Sequence, residues 1–325
     1  MTDLITHRPA ADEDAAAAPR GGAPAGAPAG AAAAAAAPGA FPEPGERAAY
    51  WSDVRQRFLQ NKLAVAGLVI VGLLVLAAAF GPLLSPYDPY AQDLDNALAA
   101  PSGAHWLGTD TLGRDLFARL LAGTRLAMLV GFASIALTCL IGVTLGALAG
   151  YAGRWVDTLV MRTADIFFAF PLLIGAIAII LVVGQGITPV IVSLAVFSWA
   201  TVARLLRSSI LSVREAEFVQ AARALGARSP RIVLKHILPN SMTAVLVYAA
   251  FNVGTAVVGV ASLSFLGIGV APGVPEWGSM LATGRGFIGV KDYLWLAPGF
   301  AIVLTVLGFV FVGDGLRDAL DPKLR

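Results

Sequence analysis

Apolar residues run without a single charge over 63–87, 126–153, 166–203, 237–275 and 293–313. A helix that crosses the roughly 30 Å hydrocarbon core needs about 20 mostly apolar residues. The first, second and last runs each suit one span. The 166–203 run is too long for one and is broken at the "GQGITP" of 184–189, so it predicts two spans, each extended past a charge at its outer end. The 237–275 run predicts one long span followed by a Gly- and Pro-rich loop. The pattern therefore predicts an all-α, polytopic membrane protein with six transmembrane helices. A soluble bundle is a poor fit, because a buried helix rarely runs this far without charge.

Residues 1–47 follow another rule. They are low-complexity Ala, Pro and Gly, without the branched and aromatic residues needed to bury a core, and are expected to be disordered. They do not read as a signal peptide, since the apolar residues are small and acidic residues are scattered near the start. Residues 50–61 place Trp51, Phe58 and Leu59 among Arg55, Arg57 and Lys62, a mixture suited to the membrane surface. The expected organisation is a tail over 1–47, then an interfacial helix, first span and outer loop over 48–122. A transmembrane domain over 123–316 and a short tail over 317–325 follow.

Composition agrees with the pattern: 57% of residues are hydrophobic and 14% charged, against about 25% charged in an average soluble domain. Charge then sets orientation. Outside the spans, fifteen Lys and Arg from Arg47 onward fall on the side of the termini and five on the other. The positive-inside rule puts both termini in the cytoplasm. This bias accounts for the net charge of +2, and no basic run interleaved with aromatics suggests nucleic acid.

The inventory of reactive groups is sparse. The lone Cys139 lies in an apolar run and reads as packing. His7, His105 and His236 are scattered, without metal-ligand spacing. No phosphate-binding G-x-x-x-x-G-K-[ST] loop is present, and no line of intramembrane carboxylates suits a proton-coupled carrier. Arg162 and Asp165, three apart, share a helix face and are expected to pair near the cytoplasmic end of the third span. Pro171, nearby, is expected to kink that helix.

One polar insert interrupts the apolar blocks: "EFVQAARALGARSPRIVLKHILPNSM", residues 217–242. Phe218, Ala221, Ala222 and Leu225 recur at i, i+3, i+4, i+7 and mark one apolar face. Gly226 suits the position just past a helix end, where positive φ is wanted. Ser229 and Pro230 read as the cap and first turn of a second short helix, and Pro239 as the start of the fifth span. The residues leave two readings open: a helix pair lying on lipid or on its own bundle, or a docking element that enters another protein's groove.

"QAARALG" followed by "HILPN" resembles the EAA loop of ABC importer permeases, E-A-A-x-x-x-G-x₉-I-x-L-P. Ala221, Ala222, Gly226, Leu238 and Pro239 match in register. Gln220 stands where the motif has its Glu, and His236 where it has Ile, so no carboxylate role is implied at 220. "HWLGTDTLGRD" in the first outer loop is similar to the H-x-L-G-T-D-x-x-G-R-D stretch of the second permease of dipeptide, oligopeptide and nickel importers. It carries Gly108, Thr109, Asp110, Gly113, Arg114 and Asp115. From the residues alone this stretch reads as a turn and a short amphipathic helix bearing Leu116, Phe117, Leu120 and Leu121. "SLSFLGIGVAPGVPEWGSML" and "GDGLRDALDPKLR" resemble that family's last outer loop and C-terminal tail.

The resemblance implies a type I ABC importer permease fold in the cytoplasmic (inner) membrane, and a transport subunit rather than an enzyme. It implies a homologous second permease, two ATP-binding cassette subunits that bind and hydrolyse the ATP, and an extracytoplasmic substrate-binding protein. No cofactor or metal is expected on this chain. Peptides are the expected solute, with nickel or another small solute as the alternative within the family. A stand-alone secondary carrier is the alternative outside it. A purely structural membrane protein would leave the polar insert without a purpose.

Overall fold

Helices account for nearly all regular structure in the computed structural model, which describes residues 44–320. Among these residues the sole β-feature is one bridge between Thr109 and Asp115. The tail expected over 1–47 falls outside the described residues as far as 43. Its last four residues are not irregular as expected: they open α1, Pro44–Gln60. Asn61 then caps α2, Lys62–Leu84, accepting bonds from the Leu63 and Ala64 amides. Val54 of α1 packs on Ala319 and Leu320 at the far end of the chain's last helix. Residues 321–325 of the expected C-terminal tail lie outside the described residues.

Five helices among the described residues are long and apolar enough to cross a membrane. They are α2, then α3 (Leu116–Ala152), α6 (Ile187–Arg214), the continuous stretch Ser229–Phe265 and α11 (Tyr293–Leu320). The sixth expected span is a bent pair. α4, Arg154–Ala169, meets α5, Leu172–Val183, at 90°. Proline explains the break: it disfavours helical backbone in the residue before it, and Phe170 is extended at φ −101°, ψ 130°. The kink expected at Pro171 is thus a full corner. At 12 residues, or about 18 Å at 1.5 Å per residue, α5 is too short to span alone.

α3 and the Ser229–Phe265 stretch are 37 residues each, about 55 Å long. Each therefore projects well beyond a bilayer core at one end. Leu116, Phe117, Leu120 and Leu121, expected on a separate short helix, lie instead in the first two turns of α3.

Glycines spaced four apart, Gly142, Gly146 and Gly150, let α3 approach α6 closely. A Cβ on Gly146 would stand 2.6 Å from the Ala203 carbonyl oxygen. Small residues at such seams are how spans pack when lipid removes the usual apolar driving force. The expected Arg162–Asp165 pair does not form. Asp165 instead accepts a 2.6 Å bond from Arg204 of α6, whose guanidinium also lies 4.3 Å from the Phe168 ring centroid. Arg207 bonds Asp157 through both oxygens. Two ion pairs therefore brace α4 against α6, where geometry across two helices outdoes an i, i+3 contact on one.

Candidate functional site

The insert joins α6 to α9 (Leu238–Phe265) at one end of the bundle. α6 ends at Arg214 and α7, Glu217–Ala224, starts three residues later. Gly226 takes φ +80°. Its amide bonds the Arg223 carbonyl, and the Ala227 amide bonds the Ala222 carbonyl. These two bonds make the left-handed helix stop that glycine favours.

Beyond the turn, Ser229 is the first residue of α8, Ser229–Ile232, not its cap. Arg228 holds the cap position and makes no side-chain bond. Pro239 does not separate the insert from the span either. α8 passes through a π-turn, Val233–Ile237, straight into α9. Proline lacks the N–H that an α-turn would use, and the wider turn absorbs that loss.

The apolar face expected on α7 is divided. Val219, absent from that expectation, is fully buried. With Ile232 and Ile237 it enters a core made with Val202, Leu206, Ile210 and Val245, and Phe218 and Ala222 pack on the same cluster. Ala221 and Leu225 face outward, Leu225 being 89% exposed. Leu234, 67% exposed, is a second outward leucine of the insert. Arg223, Arg228, Arg231 and Lys235 are exposed as well. The insert is thus held through Val219, Ile232 and Ile237, and leaves two leucines and four basic side chains exposed.

Gln220 donates to the Glu215 carbonyl at 3.0 Å, closing the end of α6, a bond that an ionised Glu could not make. His236 lies in the π-turn and its carbonyl accepts from Asn240. Leu238 packs on the core and Pro239 is exposed.

At the opposite end the outer-loop motif closes into a knot. Asp110, 5% exposed, accepts bonds from the Leu112 and Arg114 amides and, at 2.7 Å, from the Arg114 guanidinium. Asp115 caps α3 through the Ala118 amide and meets His105 Nδ1 at 2.9 Å. The Thr109 hydroxyl accepts from the Ala99 amide and donates to the Asn96 carbonyl. Gly108 and Gly113 both have positive φ, and a Cβ on Gly113 would overlap the Asp93 carbonyl.

Residues the motif did not signal complete the knot. Buried Arg119 reaches Asp110 and donates to the Pro89 carbonyl. Lys291 and Tyr293 bond the 98–99 backbone. Trp277 donates to the Leu120 carbonyl. Beside it Glu276 caps α10, Trp277–Gly284, from a buried position. Burial pushes its carboxyl up, while the Gly278 and Ser279 amides pull the other way. Within the 262–281 stretch, "PEWG" places a carboxylate at the cap and an indole at the first position of this short helix.

Comparison with known proteins bears on both regions. Residues 142–325 match the family described as binding-protein-dependent transport system inner membrane component. Residues 49–101 match the one described as N-terminal TM domain of oligopeptide transport permease C. The dipeptide transport system permease protein DppC of Alkalihalophilus pseudofirmus is 44% identical over 85% of this chain and 90% of its own length. The glutathione transport system permease protein GsiD of Pectobacterium atrosepticum is 43% identical, over 85% and 92%. The oligopeptide transport system permease protein OppC of Bacillus subtilis is 41% identical, over 85% and 90%. An inward-facing structure of the MetNI methionine ABC transporter matches with a TM-score of 0.53 at 22% identity, covering 62% of this chain and 97% of that one. The last is a likeness of fold.

Proposed function

The chain belongs to the family of inner-membrane components of binding-protein-dependent transport systems, and on that footing we propose that it passes peptides inward as one of two homologous permeases in an ATP-driven importer. It is a multi-pass membrane transport subunit, and its family works with ATPases and a substrate-binding protein. Residues 123–316 are the permease domain, 48–122 its first span and outer loop, and the basic end of the bundle faces the cytoplasm. Two separate cassette subunits bind and hydrolyse the ATP, and this chain holds no cofactor.

The observation that carries the reading is the insert. A helix pair anchored by Val219, Ile232 and Ile237 leaves Ala221, Leu225 and Leu234 uncovered at the end richest in Lys and Arg. Such a two-leucine knob fits a cleft on a partner protein. The relatives named above favour peptides over the nickel alternative, since their names specify dipeptide, glutathione and oligopeptide. Mass spectrometry of the ligand that co-purifies with the binding protein encoded beside this chain tests the substrate. A peptide is the expected result, and a metal chelate or sugar would overturn it.

A further inference from the structure

Beside the outer knot lies a cavity of about 190 Å³, between the 110–119 stretch, α10 and the start of α11. Asp110, Arg114 and Arg119 line it on one side and Ser279 and Thr283 of α10 on another, while Gly273 and Thr283 are its exposed residues. At about 30 Å³ per water molecule, the space suits a carboxyl group with a short chain behind it.

The charged lining is two cations and one anion, and that anion is fully engaged. Asp110 accepts from the Leu112 and Arg114 amides and from Arg114 Nε, and Arg119 Nε stands 3.6 Å away. These contacts match the roughly four acceptor positions of a carboxylate. Of the acids nearby, Asp115 is turned to His105 and Glu276 to the Gly278 and Ser279 amides. Neither pairs with Arg114 or Arg119 among the described residues. A guanidinium carries five N–H donors. Arg114 bonds Asp110 through one of them, and Arg119 bonds the Pro89 carbonyl through another. The Arg114 side chain is 13% exposed and that of Arg119 4%, so bulk water can answer few of the remaining donors. Withdrawn donors of this kind are costly unless something pairs with them.

We propose that this cavity binds a carboxylate, and that the C-terminal carboxylate of a peptide is its source. The planar donor fork of a guanidinium matches the two oxygens of such a group. Every linear peptide with a free C-terminus carries it whatever its side chains, so the site would separate peptides from other solutes without selecting sequence. The source rests on the permease reading above, and the site itself does not.

The test uses the complex purified with its second permease and ATPases but without the binding protein, whose own ligand site would contribute. It is titrated calorimetrically with acetate, with alanylalanine and with the C-terminal amide of alanylalanine. Acetate and alanylalanine should bind saturably, and the amide at least tenfold more weakly. Thr283 is exposed and lies apart from the knot's hydrogen bonds, so substitution there spares the fold. Thr283→Glu, which supplies a carboxylate from the chain itself, should abolish binding of both ligands. Thr283→Gln, equal in size and neutral, should keep acetate binding.

No saturable acetate binding by the parent complex would overturn the proposal, as would equal acetate binding by the two Thr283 variants. If acetate binds and the dipeptide does no better than its amide, the carboxylate site stands and the peptide source falls. Peptide import by the complete system is measured alongside. Normal import without carboxylate binding would sink the site and leave the permease reading, and carboxylate binding without import would do the reverse.

Discussion

At Gly226 the insert depends on one backbone angle. A Cβ there would meet nothing within 4 Å, so substitution acts through φ +80° alone. That conformation costs a residue with a β-carbon about 1 kcal/mol or more, and asparagine tolerates it better than a β-branched residue. Gly226→Val should leave membrane insertion intact but uncouple ATP hydrolysis from uptake, whereas Gly226→Asn should keep partial uptake. Normal uptake by the valine variant would remove the turn from the coupling path. The divided face of α7 yields a second contrast. Leu225→Asp should abolish recovery of the ATPases with an otherwise stable permease. Ala222→Arg, placed against the chain's own core, should lower thermal stability first. If the two variants behaved alike in both assays, the division into anchored and docking sides would be wrong.

Helices and loops carry the next set of consequences. Asp110 joins three donors in the outer knot, and breaking a buried pair typically costs about 3–5 kcal/mol because the partner charge is left unmatched. Asp110→Asn should lower the unfolding temperature of the purified complex clearly more than a change at exposed Asp95. Equal shifts would make the motif a surface feature and not a structural one. The α4–α6 brace is weaker, since Arg207 and Asp157 are partly exposed and such pairs contribute roughly 1 kcal/mol. Asp157→Arg should destabilise the complex, and adding Arg207→Asp should restore most of the loss. No restoration in the double variant would show that the two side chains act independently.

These elements also show what could be read from the sequence. Runs without charge located the spans, because length and apolarity are properties of a segment taken alone. Gly226 was legible for the same reason: a helix stop is a local matter. Partner choice was not. Asp165 had Arg162 three residues away on its own helix, yet its partner Arg204 comes from α6. Val219 and Ala221 differ in burial only because of what packs against α7. Pro239 looked like a boundary, since the π-turn that lets a helix pass through it leaves no mark in composition.

For the molecule as a whole, charge asymmetry and the insert point the same way. The basic end bears the start of α1, the end of α11 and the insert, and the knot of Asp110, Arg114 and Asp115 closes the other end. Orientation is open to a direct check in intact cells. A cysteine at exposed Pro272, in the loop that leads to Glu276, should react with an impermeant thiol reagent and one at exposed Gln220 should not, and the reverse pattern would invert the account. The central claim is that this chain moves peptides only when other subunits supply the energy. Its most direct test is peptide uptake into sealed vesicles, measured for the chain alone and for the complex with its second permease, ATPases, binding protein and ATP. The account predicts uptake in the complete system, lost when either ATP or the binding protein is withheld. Uptake by the chain alone, driven by an ion gradient, would contradict it.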